Sequence, residues 1–270
     1  MAEWLNMNLK SNKRTLAIIQ ARMSSSRLPG KVLMPIKGRP MLEYLIDRVS
    51  SASEVDDFVI ATSIDGSDDP IESFCRDKGI NFFRGSLEDV LDRFYMAAKK
   101  SDANIIVRLT GDCPLVDPKT LDTMINIYKN NDYDYVANTA PPDGITFPEG
   151  MDIEIFSRIA LEKAWKEASK PSEREHVTFY FWKNTDLFSI YRYDLSQNLS
   201  NYRLTVDYPE DFELVKNIIK YFGDSLSDIQ LHQIIEFLND NPSLLLLNKD
   251  IEAFSGWQAS LKEDKAKGCQ

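Results

Sequence analysis

The chain has 270 residues, and its 42 Asp and Glu outweigh 32 Lys and Arg to give a net charge of −10. With 43% hydrophobic and 27% charged residues it reads as a globular chain of about one to two domains, and its acidity argues against a broad nucleic-acid-binding face, which needs clustered cations. Two histidines exclude a multi-histidine metal centre and leave oxygen ligands for a hard cation such as Mg2+, while three scattered cysteines offer no disulfide framework and favour a reducing compartment.

Residues 1–13 are polar and are expected to be disordered. They lack the apolar stretch of a signal peptide, and no run approaches the roughly 20 residues of a membrane span. A cytoplasmic protein without a membrane partner is expected. TLAIIQA (15–21) predicts a buried strand, PMLEYLIDRVSSA (40–52) a helix with one apolar face, and DDFVIATS (56–63) a second strand. DDPIESFCRDKG (68–79) reads as a helix that Gly79 can close, and INFFRGS (80–86) as a short strand. LEDVLDRFYMAAKKS (87–101) is an amphipathic helix, NIIVRLTGDCPLVDP (104–118) a strand with a polar turn, KTLDTMINIYKNN (119–131) a helix and YDYVANT (133–139) a strand. This alternation implies an α/β fold with a mostly parallel central sheet and helices on both faces. In such sheets ligands bind beyond the C-terminal strand ends.

The rhythm breaks at APPDGITFPEG (140–150). MDIEIFS (151–157) predicts a strand, RIALEKAWKEAS (158–169) a helix, and DLFSIYRYDL (186–195) alternates as an antiparallel strand does. The aromatic stretch from 174 to 193 is either core or half of a homodimer interface. YRLTVDYP (202–209) predicts a strand, EDFELVKNIIKYF (210–222) a helix, and 225–247 one or two more helices.

The loop after the first strand, ARMSSSRLPGK (21–31), carries Arg22, Arg27 and Lys31 with no acidic residue. A solvated polar turn is the plain reading. The chemical reading is an anion loop, with backbone N–H groups around Ser24 and Ser25 forming a concave nest and the cations meeting phosphate oxygens. It is neither a Walker A loop nor a GxGxxG turn. Asp112 in LTGDCP and Asp207 in LTVDYPED each end a predicted strand, where a turn or helix cap would explain them equally well. Asp152 and Glu154 alternate along one strand face. Glu173, Arg174, Glu175 and His176 cluster in a predicted loop, where Arg174 and His176 can hold an acid, although His176 also reads as a structural histidine. Cys113 reads as a packed residue, since no basic partner stands beside it.

Together ARMSSSRLPGK, RGSLEDVLDRF, VRLTGDCPLVDP, FPEGMDIEIFS, EREHVT and LTVDYPEDFELV resemble the CMP-sugar synthetases, and most closely the SpsF-like cytidylyltransferases of bacterial spore-coat and surface polysaccharide pathways. The likeness covers roughly residues 15–250. It implies a Rossmann-like (GT-A type) nucleotide-diphospho-sugar transferase fold with a small antiparallel insertion, and Mg-dependent transfer of CMP from CTP to an acidic sugar or related acceptor. It implies Mg2+ on Asp112 and Asp207, and catalysis with the help of Arg22 and Lys31. Nucleotide binding would fall to Ala21, Arg22, Ser24, Ser25, Arg27, Lys31, Thr62, Ser63, Gly85 and Ser86. Acceptor binding would fall to Asp152, Glu154, Glu173, Arg174 and His176. TGD stands where the octulosonate enzymes have QGD, so a glutamine's contribution is altered. The implied division is a nucleotidyltransferase domain at 14–222, with 140–195 serving acceptor binding and dimerisation, a helical extension at 223–257 and a loose tail at 258–270. A GT-A glycosyltransferase, which would need a DxD after an early strand, and an inactive nucleotide-binding protein are the rival readings.

Overall fold

The computed structural model describes residues 14–252 and Asp264. The expectations for 1–13 and 258–270 lie outside these residues, apart from Asp264, which is buried and accepts hydrogen bonds from Ser172. The apolar run TLAIIQ forms β1 (Thr15–Gln20), which pairs in parallel with β2 (Asp57–Ser63) on one side and β4 (Ile105–Thr110) on the other. Flanked on both edges, β1 has no solvent face, which is why it is apolar throughout rather than alternating. β3 (Phe82–Gly85) extends the parallel set beyond β2. β6 (Glu154–Ser157) runs antiparallel to β4 and to β5 (Tyr135–Ala137), and β7 (Ile190–Arg192) closes the sheet. The order is β3-β2-β1-β4-β6-β5-β7.

Helices cover both faces, as the strand pleat requires. On one face α3 (Val90–Lys99), α5 (Arg158–Glu167) and α7 (Phe179–Lys183) pack on Leu16, Ile18, Ile106, Tyr135 and Phe156. On the other, α1 (Met41–Ser51), α2 (Asp69–Lys78) and α4 (Pro118–Asn130) pack on Ala17, Ile19, Ile60, Val107 and Leu109. Successive residues of β1 and β4 thus feed opposite cores. Arg108 falls on the first of these faces, in step with Ile106.

Three expectations are corrected. The 202–209 segment is extended but makes only an isolated bridge between Arg203 and Glu149, so it is no strand; its backbone bonds go to loops rather than to a ladder. β7 pairs with β5 in parallel, not antiparallel, and spans three residues of the ten that alternate. Glu173 to His176 lie not in a loop but in the short helix α6 (Pro171–His176). Part of the aromatic segment is core: Phe179, Phe181 and Phe188 are buried, and Phe181 stacks on Tyr135 and Phe156, while Trp182, Tyr191 and Tyr193 are half-buried.

A third core joins α8 (Pro209–Phe222) to α9 (Leu231–Asp240) through Leu214, Ile218, Ile234 and Leu238. The described part of the 223–257 stretch shares this core with residues of the main fold. Arg48 on α1, 1% exposed, pins it by donating to the carbonyls of Val116, Leu226 and Ile229. Among the described residues no helix is long and apolar enough to cross a membrane.

Candidate functional site

The site forms where the C-terminal ends of β1 and β4 lie side by side. Gly111 donates its N–H to the Gln20 carbonyl at 2.8 Å, and a Cβ on Gly111 would stand only 3.0 Å from that oxygen. The TGD turn can close on β1 only because no side chain intervenes. The 21–31 loop folds back on itself through Gly30, at φ 72°, whose N–H reaches the Met23 carbonyl. Asp68, fully buried, braces it from the neighbouring loop: Oδ1 accepts from Met23 N at 2.6 Å, and Oδ2 accepts from Ser63 N and Oγ.

The distant 202–207 segment arrives by two loop contacts. Leu204 N donates to the Glu149 carbonyl at 2.7 Å, and Val206 N to the Asp112 carbonyl at 2.9 Å. This threading sets Asp207 beside Asp112. Lys31 Nζ lies 2.8 Å from Asp112 Oδ2 and 2.8 Å from Asp207 Oδ1. Burial works against the ammonium charge, but the two carboxylates outweigh it and hold the Lys31 pKa above its ordinary value. Burial likewise opposes ionisation of Asp112 and Asp207, and Lys31 overrides it, keeping both below the usual carboxylate range. Arg27 adds a contact to Asp207 at 2.6 Å and lies over the Tyr208 ring.

A further brace was invisible in the sequence. Arg203 links Glu149, Asp207 and the buried Asp211. Asp211 also accepts from the N–H groups of Asp207 and Tyr208, capping α8 and fixing the Asp207 backbone. Asn248, in the C-terminal stretch, donates to Asp211 and to the Arg203 carbonyl.

Lys31, Arg27, Asp112, Glu149 and Asp207 line a cavity of about 400 Å³. Of the residues expected there, Ala21, Arg22, Ser25, Arg27, Lys31, Asp112, Asp152, His176 and Asp207 do line it. The others do not. Ser24 is exposed on the loop. Thr62 is fully buried, and the Ser63 hydroxyl is taken by Asp68, so only backbone is on offer there. Gly85 lies against Phe83 and Arg93, and the Ser86 hydroxyl accepts from Asp89 N.

On the acceptor side the corrections are sharper. Glu154 is buried beneath the cavity, paired with Arg108 and accepting from the Tyr135 hydroxyl. Glu173 is buried and accepts from Lys170 N at the start of α6. Arg174 turns away to Asp89 and the Trp165 carbonyl, tying α6 to the start of α3. His176 stacks on Phe179, and burial with nearby Arg108, Lys183 and Arg22 lowers its pKa to about 3, so it stays neutral and is a feeble base. Cys113 is buried among Asp112, Asp152 and Thr205, and its thiol is pushed well above the ordinary value by burial and those two acids, which makes it a packed residue. The cavity also holds Arg93 and Arg108, which the sequence reading passed over. Both sit on faces otherwise apolar, and a cation at a core position of a helix or strand is the signal that could have found them.

The donor set fits a hard divalent ion. Two carboxylate oxygens converge on one point, and among the described residues no cluster of three His, Cys, Asp or Glu surrounds it. The remaining positions of an octahedral shell would fall to water and phosphate oxygens.

Comparison with known proteins identifies the family and the fold. Residues 16–246 match the family described as Cytidylyltransferase. The chain is 36% identical over 236 residues to the spore coat polysaccharide biosynthesis protein SpsF of Bacillus subtilis, covering 84% of this chain and 95% of that one. A solved cytidylyltransferase from Leptospira borgpetersenii superposes with TM-score 0.81 at 37% identity, covering 88% of this chain and 99% of that one. A CMP:2-keto-3-deoxy-manno-octonic acid synthetase complexed with CTP shares the fold at TM-score 0.58 and 19% identity, over 77% of this chain and 99% of that one.

Proposed function

The chain belongs to the cytidylyltransferase family, and from that premise we propose that it transfers CMP from CTP to an acidic sugar, with Mg2+ as its metal and pyrophosphate as the leaving product. The observation that carries this reading is the meeting of Lys31 with Asp112 and Asp207 at 2.8 Å each, beside a loop whose charged side chains are all cationic. Arg22 and Lys31 hold the β- and γ-phosphates, and Arg27 braces Asp207. The cytosine lies against the main chain at Ala21, with the buried Thr62 and Ser63 and the Gly85–Ser86 turn backing that wall.

An acceptor oxygen attacks the α-phosphorus; the new P–O bond forms as the bond to pyrophosphate breaks. The protein's share is positioning and charge neutralisation. Asp112 and Asp207 would hold Mg2+, which neutralises charge on the phosphate oxygens. Asp152 is the cavity carboxylate suited to take the acceptor's proton. Burial, despite hydrogen bonds from Thr139 and from Gly150 N, raises its pKa, which makes it a better base than Asp112.

Purified protein given each of the four nucleoside triphosphates, Mg2+ and a panel of 2-keto sugar acids should release pyrophosphate with CTP at least about tenfold faster than with the others, well within what hydrogen-bonded base reading can supply. Faster release with another nucleotide would overturn the CTP assignment. Release with neutral sugars as fast as with acids would overturn the acceptor class. Asp68→Asn is expected to weaken CTP binding roughly 5- to 20-fold, because an amide cannot accept from both Met23 and Ser63 as the carboxylate does. Calorimetric titration checks this, and unchanged affinity would remove the bracing role.

A further inference from the structure

Two arginines outside the anion loop face the same cavity. Arg93 on α3 is 1% exposed and Arg108 on β4 is 8% exposed. Each guanidinium spends Nη1 on a protein acceptor, Arg93 on the Ser86 carbonyl at 2.8 Å and Arg108 on Glu154. In each, the buried Nε has no hydrogen-bond partner among the described residues. A buried donor left open is costly, and a buried cation more so. Burial and the neighbouring Arg22 press on Arg93 strongly enough to lower its pKa to about 10. The Nε edge of a guanidinium is the side that receives a planar two-oxygen anion.

Arg93 stands beside Arg22 and the Gly85–Ser86 turn, whereas Arg108 lies apart from the phosphate-binding loop. Arg27 and Lys31 are committed to the wall that carries Asp207. Arg108 is held instead by Glu154 of β6 and lies close to His176 of α6, elements that follow the break at 140–150 and lie outside the parallel β1–β4 half. His176, being neutral, adds no charge there.

We propose that Arg93 and Arg108 form a carboxylate-binding subsite for the acceptor, separate from the phosphate-binding loop. This rests on the CMP-transfer reading and deepens it: the acceptor is selected by an acid group seated on these two guanidinium edges, not by Arg174.

The test measures binding of two probes, CTP with Mg2+ and 3-deoxy-manno-octulosonate, the latter against its neutral carboxamide, to wild type, Arg93→Gln and the double variant Arg108→Gln/Glu154→Gln. The double variant removes the carboxylate that a single change would leave buried and unpaired. Saturation-transfer NMR on the nucleotide-loaded protein should show the acid bound and the amide not. In both variants the affinity for the acid should fall about 10- to 100-fold, the worth of a charge-assisted pair, with CTP affinity kept within about twofold in Arg108→Gln/Glu154→Gln and falling less than the acid's in Arg93→Gln, which also frees the Ser86 carbonyl. Equal losses for both probes, an unchanged affinity for the acid, or a wild type that takes CTP but not the acid would overturn the subsite. A wild type that does not take CTP would overturn the CMP-transfer reading itself.

Discussion

Asp112→Asn and Asp207→Asn are each expected to lower turnover by about 10²–10³-fold, the scale on which a single preformed electrostatic contact to the reacting group acts. The two oxygens that converge on Lys31 come from these residues, and an amide supplies a neutral, weaker ligand in place of each. Removing either carboxylate also leaves the ammonium with one partner, so the phosphate end of the site loses its order. Because the two acids act on one point, the double variant should be little worse than the worse single one. Asp207→Asn should also cost thermal stability, since Arg27 and Arg203 both lean on Asp207. Asp112, which has only Lys31 as a cationic partner among the described ion pairs, should melt closer to wild type. The check is pyrophosphate release over an Mg2+ titration, with a melting curve for each variant. If both single variants keep more than about half of the wild-type rate at saturating metal, the two aspartates do not hold the ion.

Gly150→Ala should damage the protein more than any surface change. Gly150 has φ 96°, a region that residues with a Cβ rarely enter. The added carbon would stand 2.2 Å from Thr205 N and 2.4 Å from Leu204 C, both backbone atoms that no rotamer change can move aside. Either Gly150 refuses its native conformation or the 202–207 segment is pushed off the bridge at Glu149. We expect about 3–5 kcal/mol of lost stability, the upper range for single substitutions. At about 2–4 °C per kcal/mol for a chain of this size, that is a fall of roughly 6–20 °C. Activity should fall further than stability, because the same push displaces Asp207 from Asp112. A melting point within about 2 °C of wild type together with normal turnover would contradict the close packing described here.

The first half of the fold was legible because its information is local. Strand runs such as TLAIIQ are continuous and apolar, helices such as 87–101 keep one apolar face, and the cationic loop announces itself in an acidic chain. The second half was read less well. The 202–209 stretch has the alternation of a strand, yet it lies between two loops, and whether an extended segment finds a ladder is decided by its neighbours. β7 looked antiparallel because alternation says nothing about direction. Within the site, the convergence of Asp112 and Asp207 was implied by resemblance alone, since no local pattern reports a contact made by the Val206 and Leu204 backbones. The acceptor side was misjudged for a different reason. Glu154, Glu173 and Arg174 have the right chemistry, but each is used internally, as an ion pair, a helix cap and a brace. Arg93 and Arg108 were overlooked because a cation in the middle of an amphipathic pattern reads as its polar face, and only the packed structure reveals that the face is inside.

Lys31 gives the resting protein a resident counter-charge between its two aspartates. A divalent ion arriving by itself must compete with that ammonium, and so gains less than it would from two bare carboxylates. A polyphosphate gives the ammonium somewhere else to go. Metal and nucleotide then favour each other's entry, and linkage requires the same factor in both directions. If the two aspartates hold the ion as proposed, the idle centre disfavours a lone cation and takes one up more readily together with the nucleotide.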